Sequence, residues 1–446
     1  MRIGKFAKTV AAGALAVACL TSVAACGPGS SNNNASDVPA EEVSTDLGDG
    51  TYELTLWDGA GLKALDDALI AGFQEKYPNI TITATYDPDN VTQQNGPRII
   101  SASDTPDLAR ITDIGSAARG NHLVNLEEYA DAYGWELPDA QTTIYRVGAD
   151  GQIGADGDLY AVPSSLSMTG LFWNKDLGAK IGLTEAPKSM EELEDAMAKA
   201  KDAGILPMML PGKDGGASFI YQALMVNAGG ADAVQSWIVQ NDGASFDTDA
   251  AKTAAETLQS WAEAGYLPSD VNAVDASTAL GRFTAGEGLF FPSGNWNVAS
   301  VSEAMGDAAG FTSYPGTTES DPATAALNAG SAFGIPANAK NKNAAAAFLD
   351  YLTTEEARQI VIDNSGYAPA GDGELPTSGD ALVTEMLTVY GDLMSDGATT
   401  DFINNATAGI QSSTLIPNFQ LLLDGSLDAA EFPGIVQSAY EEELGK

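Results

Sequence analysis

From residue 51 onward the chain moves between two hydrophobic rhythms. In YELTLW (52–57) apolar and polar positions alternate one by one, the period of a strand with one face toward a core. Leu62, Leu65, Leu69, Ile70 and Phe73 then recur three and four apart, which predicts an amphipathic helix over 62–76. NITITATY (79–86) returns to alternation and sets Ile80, Ile82, Ala84 and Tyr86 on one face of a second strand. Strand, helix and strand within about 35 residues have the size of a βαβ unit, whose two strands run parallel.

The rhythm recurs. PDLARIT (106–112) reads as a strand and LVNLEEYADAYG (123–134) as the helix after it. LYAVPSSLSMTGLFWNKD (159–176) reads as a pair of strands, ILPMML (205–210) as another, and GLFFPSGNW (288–296) as one more with aromatic residues bunched at its end. Ser189 with Glu192 forms a capping box opening SMEELEDAMAKAKDAG, whose stripe is Met190, Leu193, Met197 and Ala200. Thr353 with Glu356 predicts a second box ahead of EEARQIVIDN. No short repeat is present. Strands alternating with helices define an α/β class, and the length calls for two lobes rather than one doubly wound domain.

The first residues differ in kind. Arg2, Lys5 and Lys8 precede an uncharged stretch, 9–25, that is small and Ala-rich. A basic start, an apolar middle and small residues before a cleavage point are the layout of a secretory signal over residues 1–25. The stretch is short for a transmembrane span of about 20 apolar residues. Val23-Ala24-Ala25-Cys26 resembles the bacterial lipobox, which implies a lipid on Cys26 as the first mature residue. Cys19 would leave with the signal, so the exported fold would hold no disulfide. Residues 26–50, rich in Gly, Ser, Asn and Pro, read as a flexible tether.

Composition then removes whole classes of function. About 420 mature residues at 44% hydrophobic content make an ordinary globular body, and no later segment is apolar and long enough to span a membrane. The formal charge of −40 argues against nucleic acid, whose phosphates need Lys and Arg, and against adhesion to anionic lipid. His122 is the only histidine, which leaves little material for His-based triads or His-rich metal sites. No glycine-rich phosphate loop of the usual spacing occurs, and no cofactor is expected.

Segments spread through the chain then match one family in order. FQEKYPNITI, ASDTPDLARITD, LYAVPSSLSMTGLFWNKDLGAKIGL, APKSMEELEDAMAKA, RFTAGEGLFFPSGNW and GIPANAKNKNAAAAFLDYLTTEEARQ stand in that order, and the resemblance they carry extends over nearly all of 51–446. The chain resembles the extracellular solute-binding proteins of ABC importers, in the carbohydrate-binding group typified by maltose-binding protein. The resemblance implies two α/β lobes with a hinge and a ligand cleft between them. It places residues 51–162 and 314–372 in the first lobe and 163–313 and 373–446 in the second. The chain would cross between lobes near 160–165, near 311–317 and near 368–376. The ligand would be a neutral mono- or oligosaccharide, and the partners ABC permease subunits with their cytoplasmic ATPase. The protein would act as a monomer on the outer face of the membrane, held by lipid alone.

The resemblance also marks positions in the cleft. Trp296 matches a tryptophan that stacks on sugar rings, and Asn295 beside it could bond hydroxyls. Asp113 matches a sugar-binding aspartate, and Asp58 and Trp57 end the first strand where relatives touch sugar. Each has a plainer alternative: Asp58 and Asp113 as helix caps, Trp57 and Trp296 as core. Phe219 or Tyr221 would supply an aromatic platform, and only one can face the cleft because residues two apart on a helix diverge. Arg110 stands where the family has an aromatic or small residue. Trp173 reads as core, and Asn174 and Asp176 as caps of the following helix. GIQSSTLIPNF (409–419) lacks the stacking Trp of the maltose binder, a departure from maltodextrin specificity. Two other readings stay open: a surface glycosidase using Asp58 and Asp113 as its pair, and a binder of a peptide, polyol or other solute.

Overall fold

The computed structural model describes residues 42–149, 151–371, 373–407 and 409–445. The expected signal, Cys26 and most of the expected tether lie outside these residues. Among the described residues eleven strands follow in chain order: β1 (Tyr52–Gly59), β2 (Ile80–Asp87), β3 (Leu108–Arg110), β4 (Arg146–Val147), β5 (Asp158–Leu159), β6 (Val162–Asn174), β7 (Phe290–Gly294), β8 (Ala309–Thr312), β9 (Thr324–Gly334), β10 (Ala368–Pro369) and β11 (Ala398–Thr400). Helices fill most of the connections, and the chain is a two-lobed α/β protein.

The first lobe is built on the expected βαβ unit. β1 pairs in parallel with β2, from Tyr52 opposite Ile80 to Gly59 opposite Asp87, and with β3 on its other edge. The helix Lys63–Lys76 crosses between them and buries Leu65, Leu69, Ile70 and Phe73. Phe73 meets Phe348 edge to face with centroids 5.2 Å apart, which locks that helix onto the return helix Lys342–Leu352.

Two long antiparallel strands join the lobes. β9 pairs with β3 at its C-terminal end (Ala109 opposite Gly334) and with β11 at its N-terminal end (Ala398 opposite Thr324). β6 pairs with β9 from Val162 to Met168, then with β7 and β8 from Thr169 to Asn174. The expected pair of strands over 159–176 is therefore one 13-residue strand preceded by the two-residue β5. In the second lobe β6 has helices on both faces, so its two sets of alternate side chains enter separate cores. Leu171 and Trp173 enter one, and Met168 and Phe172 the other.

Four expectations need correction. The second crossing is not at 311–317: Phe311 and Tyr314 are buried in second-lobe cores, and the return is made within β9, between Leu327 and Phe333. ILPMML forms no strand, only an isolated parallel bridge from Met208 to Phe290. The box at Thr353 shifts by one residue, since Thr354 caps the helix through Ala357 N while Thr353 closes the helix before it. The end of the expected tether is bound: Ser44 N donates to Asn343 Oδ1 (3.1 Å), Tyr52 Oη donates to Leu47 O (2.8 Å), and Val43 and Leu47 pack on the first lobe. Part-burying two aliphatic side chains contributes roughly 1–2 kcal/mol, enough to hold a short segment down.

Candidate functional site

The carboxyl end of β1 meets the crossing strand. Asp58 is fully buried there, accepting bonds from Gly59 N (2.5 Å), Ser331 Oγ of β9 (2.8 Å) and Arg110 Nη1 (3.2 Å). Asp66, one turn into the following helix, is also buried, and no hydrogen-bond donor among the described residues reaches either of its oxygens. The group it touches is the Asp58 carboxylate. Two carboxylates bond only if one holds a proton. Burial first, and the Asp58 charge second, push Asp66 up to about 9, so it carries that proton at neutral pH. One cation then faces one anion: Asp58 orients Arg110, and Asp66 steadies Asp58. Arg110 keeps 29% of its side chain exposed, and its ion pair uses only one nitrogen. Its remaining N–H groups can serve a ligand.

The second lobe supplies rings from three distant segments. Trp296 follows β7, Phe219 sits in the first turn of the helix Ala217–Gly229, and Phe402 follows β11. Phe219 and Trp296 meet edge-on with centroids 5.5 Å apart. Phe402 lies 6.1 Å from Phe219 and 6.3 Å from Trp296. Trp296 and Phe219 are part-exposed while Phe402 is nearly covered. The indole lies flush on Gly294, where a Cβ would fall 2.1 Å from a ring carbon, so only glycine permits that rotamer.

The turn that carries Phe402 is tightly held. Gln222 Nε2 donates to Thr400 Oγ1 and Asp401 O (both 2.6 Å), and its Oε1 accepts from Ile403 N (3.0 Å). Asp401 N donates to Gln235 Oε1 (2.7 Å). Asp401 Oδ1 accepts three bonds: from Asn328 Nδ2 of β9 (2.5 Å), Phe402 N (2.6 Å) and Asn405 Nδ2 (2.9 Å). Asn328 in turn accepts from Tyr145 Oη of the first lobe (2.8 Å). Burial raises Asp401 to about 6 against these three bonds, which lower it. Asn328 and Ser331, three residues apart on β9, thus tie the Asp401 and Asp58 clusters to one strand, about 10 Å of chain.

Several of the residues singled out in the sequence have structural partners of their own. Tyr221 is buried in the second-lobe core, with Oη bonded to Ala251 O (2.8 Å) and Phe246, Phe419 and Phe432 around its ring. Helix geometry leaves Phe219 as the open one of the pair. Asn295 is fully buried and bonds backbone, accepting from Met168 N (3.1 Å) and donating to Leu166 O (2.9 Å). It pins the Trp296 turn to β6. Trp57 is only 4% exposed and belongs to the first-lobe core. Asp58 reaches the surface only through Arg110. Asp113 is exposed and caps the helix Ile114–Arg119 through Ser116 N (3.0 Å). No hydrogen bond or ion pair among the described residues joins it to Arg110. Trp173 is core and Asn174 caps through Leu177 N (2.9 Å), whereas Asp176 only occupies that helix's first turn. Sequence reasoning missed Asp66, Tyr145, Asn328, Asp401 and Phe402. None carried a signal beyond its own residue type, because their meaning lies in partners that only folding brings against them.

Two lobes joined by paired crossing strands, with part-exposed rings on one and an oriented guanidinium on the other, define a hinged binding protein. The model of the bacterial extracellular solute-binding protein family matches residues 58–359. The chain belongs to that family. A multiple sugar-binding protein of Streptococcus mutans is 24% identical over 315 residues, 68% of this chain and 71% of that one. An uncharacterized ABC transporter extracellular-binding protein of Pyrococcus horikoshii is 24% identical over 335 residues, 70% of each. Among solved structures, a chitin oligosaccharide binding protein superposes with a TM-score of 0.72 at 20% identity, covering 90% of this chain and 100% of the other. Among the described residues no helix is long and apolar enough to cross a membrane.

Proposed function

We propose that the protein is the extracellular sugar receptor of an ABC import system. It takes a neutral mono- or oligosaccharide between its lobes and presents it to permease subunits served by a cytoplasmic ATPase. It acts as a monomer, anchored through lipid on Cys26. The observation that carries this reading is the ring cluster Trp296, Phe219 and Phe402, gathered from three segments and left part-open. Sugars present apolar C–H faces that pack on such rings and hydroxyls that bond charged and amide groups. The sugar-binding relative named above supports the same ligand class.

A receptor is favoured over a glycosidase by the state of the expected carboxylate pair. Hydrolysis needs two accessible carboxyls about 5 to 9.5 Å apart across the scissile bond. Asp58 is sealed against Arg110 and Asp66, and Asp113 is a helix cap. Titration calorimetry against maltotriose, raffinose, xylobiose, chitobiose and galactose tests the assignment. Saturable heat with one or more of them, and no new reducing ends, is expected. Turnover of a bound sugar, or no binding across the panel, overturns it.

A further inference from the structure

We infer that Asp401 is a ligand-binding residue of this site, its second carboxylate oxygen accepting a hydroxyl of the sugar seated on the neighbouring rings. The inference rests on the sugar-receptor reading above and adds to it the acceptor that fixes the ligand's orientation.

The two oxygens of Asp401 are treated differently. Oδ1 takes all three protein donors: Asn328 Nδ2, Phe402 N and Asn405 Nδ2. Oδ2 takes none among the described residues, yet it is not sealed in, and the residue as a whole is 9% exposed. A buried carboxylate with one saturated and one empty oxygen is half-satisfied, and in a native fold such a lone pair is met by water or ligand. Its position favours a ligand. The next residue is Phe402, whose amide donates to the same carboxyl and whose ring touches both Phe219 and Trp296.

The setting is rigid, as a recognition element needs to be. Gln222 and Gln235 hold residues 400–403 with three bonds to the backbone and one to the Thr400 hydroxyl, and Asn328 fixes the carboxyl from the crossing strand. The bond from Tyr145 sets which way the Asn328 amide faces, because its Oδ1 is occupied. An acceptor oriented by three donors loses little entropy on meeting a hydroxyl, and a charge-assisted bond is roughly twice as strong as a neutral one.

The bonding pattern defines the test. In Asp401→Asn the amide oxygen must turn to the three donors, which places its NH2 where Oδ2 stood. The clamp survives and the ligand-facing atom changes from acceptor to donor. The same sugar panel is titrated calorimetrically into wild type, Asp401→Asn and Asn405→Ala. We expect Asp401→Asn to weaken the bound sugar about tenfold or more with little change in melting temperature. Asn405→Ala removes a clamp bond without touching Oδ2 and should weaken it far less. Equal losses in both variants would assign Asp401 a purely structural role and overturn the inference.

A second measurement uses wild type alone. Charge loss on Asp401 should weaken binding as pH falls through about 6, and Asp401→Asn should lack that inflection. Around the carboxyl, Asn328, Asn405, Gln222, Gln235 and Thr400 are neutral, and Tyr145, reached through Asn328, has its pKa raised by burial. An Asp401→Asn protein with wild-type affinity and an unchanged pH profile overturns the inference while leaving the receptor reading intact. A wild type that binds no sugar in the panel instead fails the receptor reading, and the inference with it.

Discussion

The indole of Trp296 receives the ring of Phe219 edge-on, with centroids 5.5 Å apart and planes inclined at 64°. The two residues come from different elements, one after a strand and one at a helix start. Edge-to-face contact keeps both rings in place while leaving part of each open. That is the condition for a stacking surface that stays ordered when empty.

Trp296→Ala should remove the largest ring of this surface. Losing a central aromatic anchor costs about 2 kcal/mol or more, roughly a thirtyfold rise in Kd. Because the ring is part-exposed, the free protein should still fold, with a melting temperature lower by a few degrees. Calorimetric titration and a melting curve on the same sample check both. Unchanged affinity in a folded variant would remove Trp296 from the site.

Tyr221→Phe should do the reverse. It deletes the Oη bond to the buried Ala251 carbonyl, leaving an unsatisfied acceptor at a cost of about 1–3 kcal/mol. Urea unfolding should report that loss. Sugar affinity should stay within about twofold, since the ring lies in the core.

Asp66 makes a prediction about pH. Unfolded, the carboxyl releases its proton near its ordinary value of 3.8, while folded it holds the proton up to about 9. Between those values the native state binds one proton more than the unfolded state. Its contribution to stability therefore falls by about 1.4 kcal/mol per pH unit across that window and levels off above it. Asp66→Asn keeps a donor to Asp58 but cannot ionise. Relative to wild type, its unfolding free energy in urea should rise steadily from pH 5 to pH 8. Parallel curves for the two proteins would show that Asp66 holds no proton.

Cys26→Ser should release the protein from the membrane, since the proposed acylation needs the thiol. Detergent phase partitioning of cell extracts should move it from the detergent phase to the aqueous phase. Wild type and variant sharing the aqueous phase would remove the anchor.

The local rhythm of the chain was enough to place β1, the helix Lys63–Lys76 and β2, because alternation and helical spacing are set by residues a few positions apart. It also placed the cap at Ser189, whose partner Glu192 N lies three residues on. The ordered motifs identified the family and its two lobes, and Trp296 with Phe219 stood out as large rings at element ends. Other features depend on what faces what in space. ILPMML has the composition of a strand, yet its pairing with the edge of β7 amounts to one bridge, with Phe290 N donating to Pro207 O (2.9 Å) and Met209 N to Phe290 O (2.8 Å), and how far that pairing runs is decided by the neighbouring strand and not by the segment itself. Nothing within residues 288–296 distinguishes Asn295, sealed against β6, from Trp296, left open. The pKa of Asp66 rises only because folding buries it against Asp58, and the two oxygens of Asp401 differ only because Asn328, Phe402 and Asn405 all converge on Oδ1. Periodicity and capping act through neighbours in sequence and can be read from it. Desolvation, pairing of charges and the filling of lone pairs act through neighbours in space, which only the tertiary structure supplies.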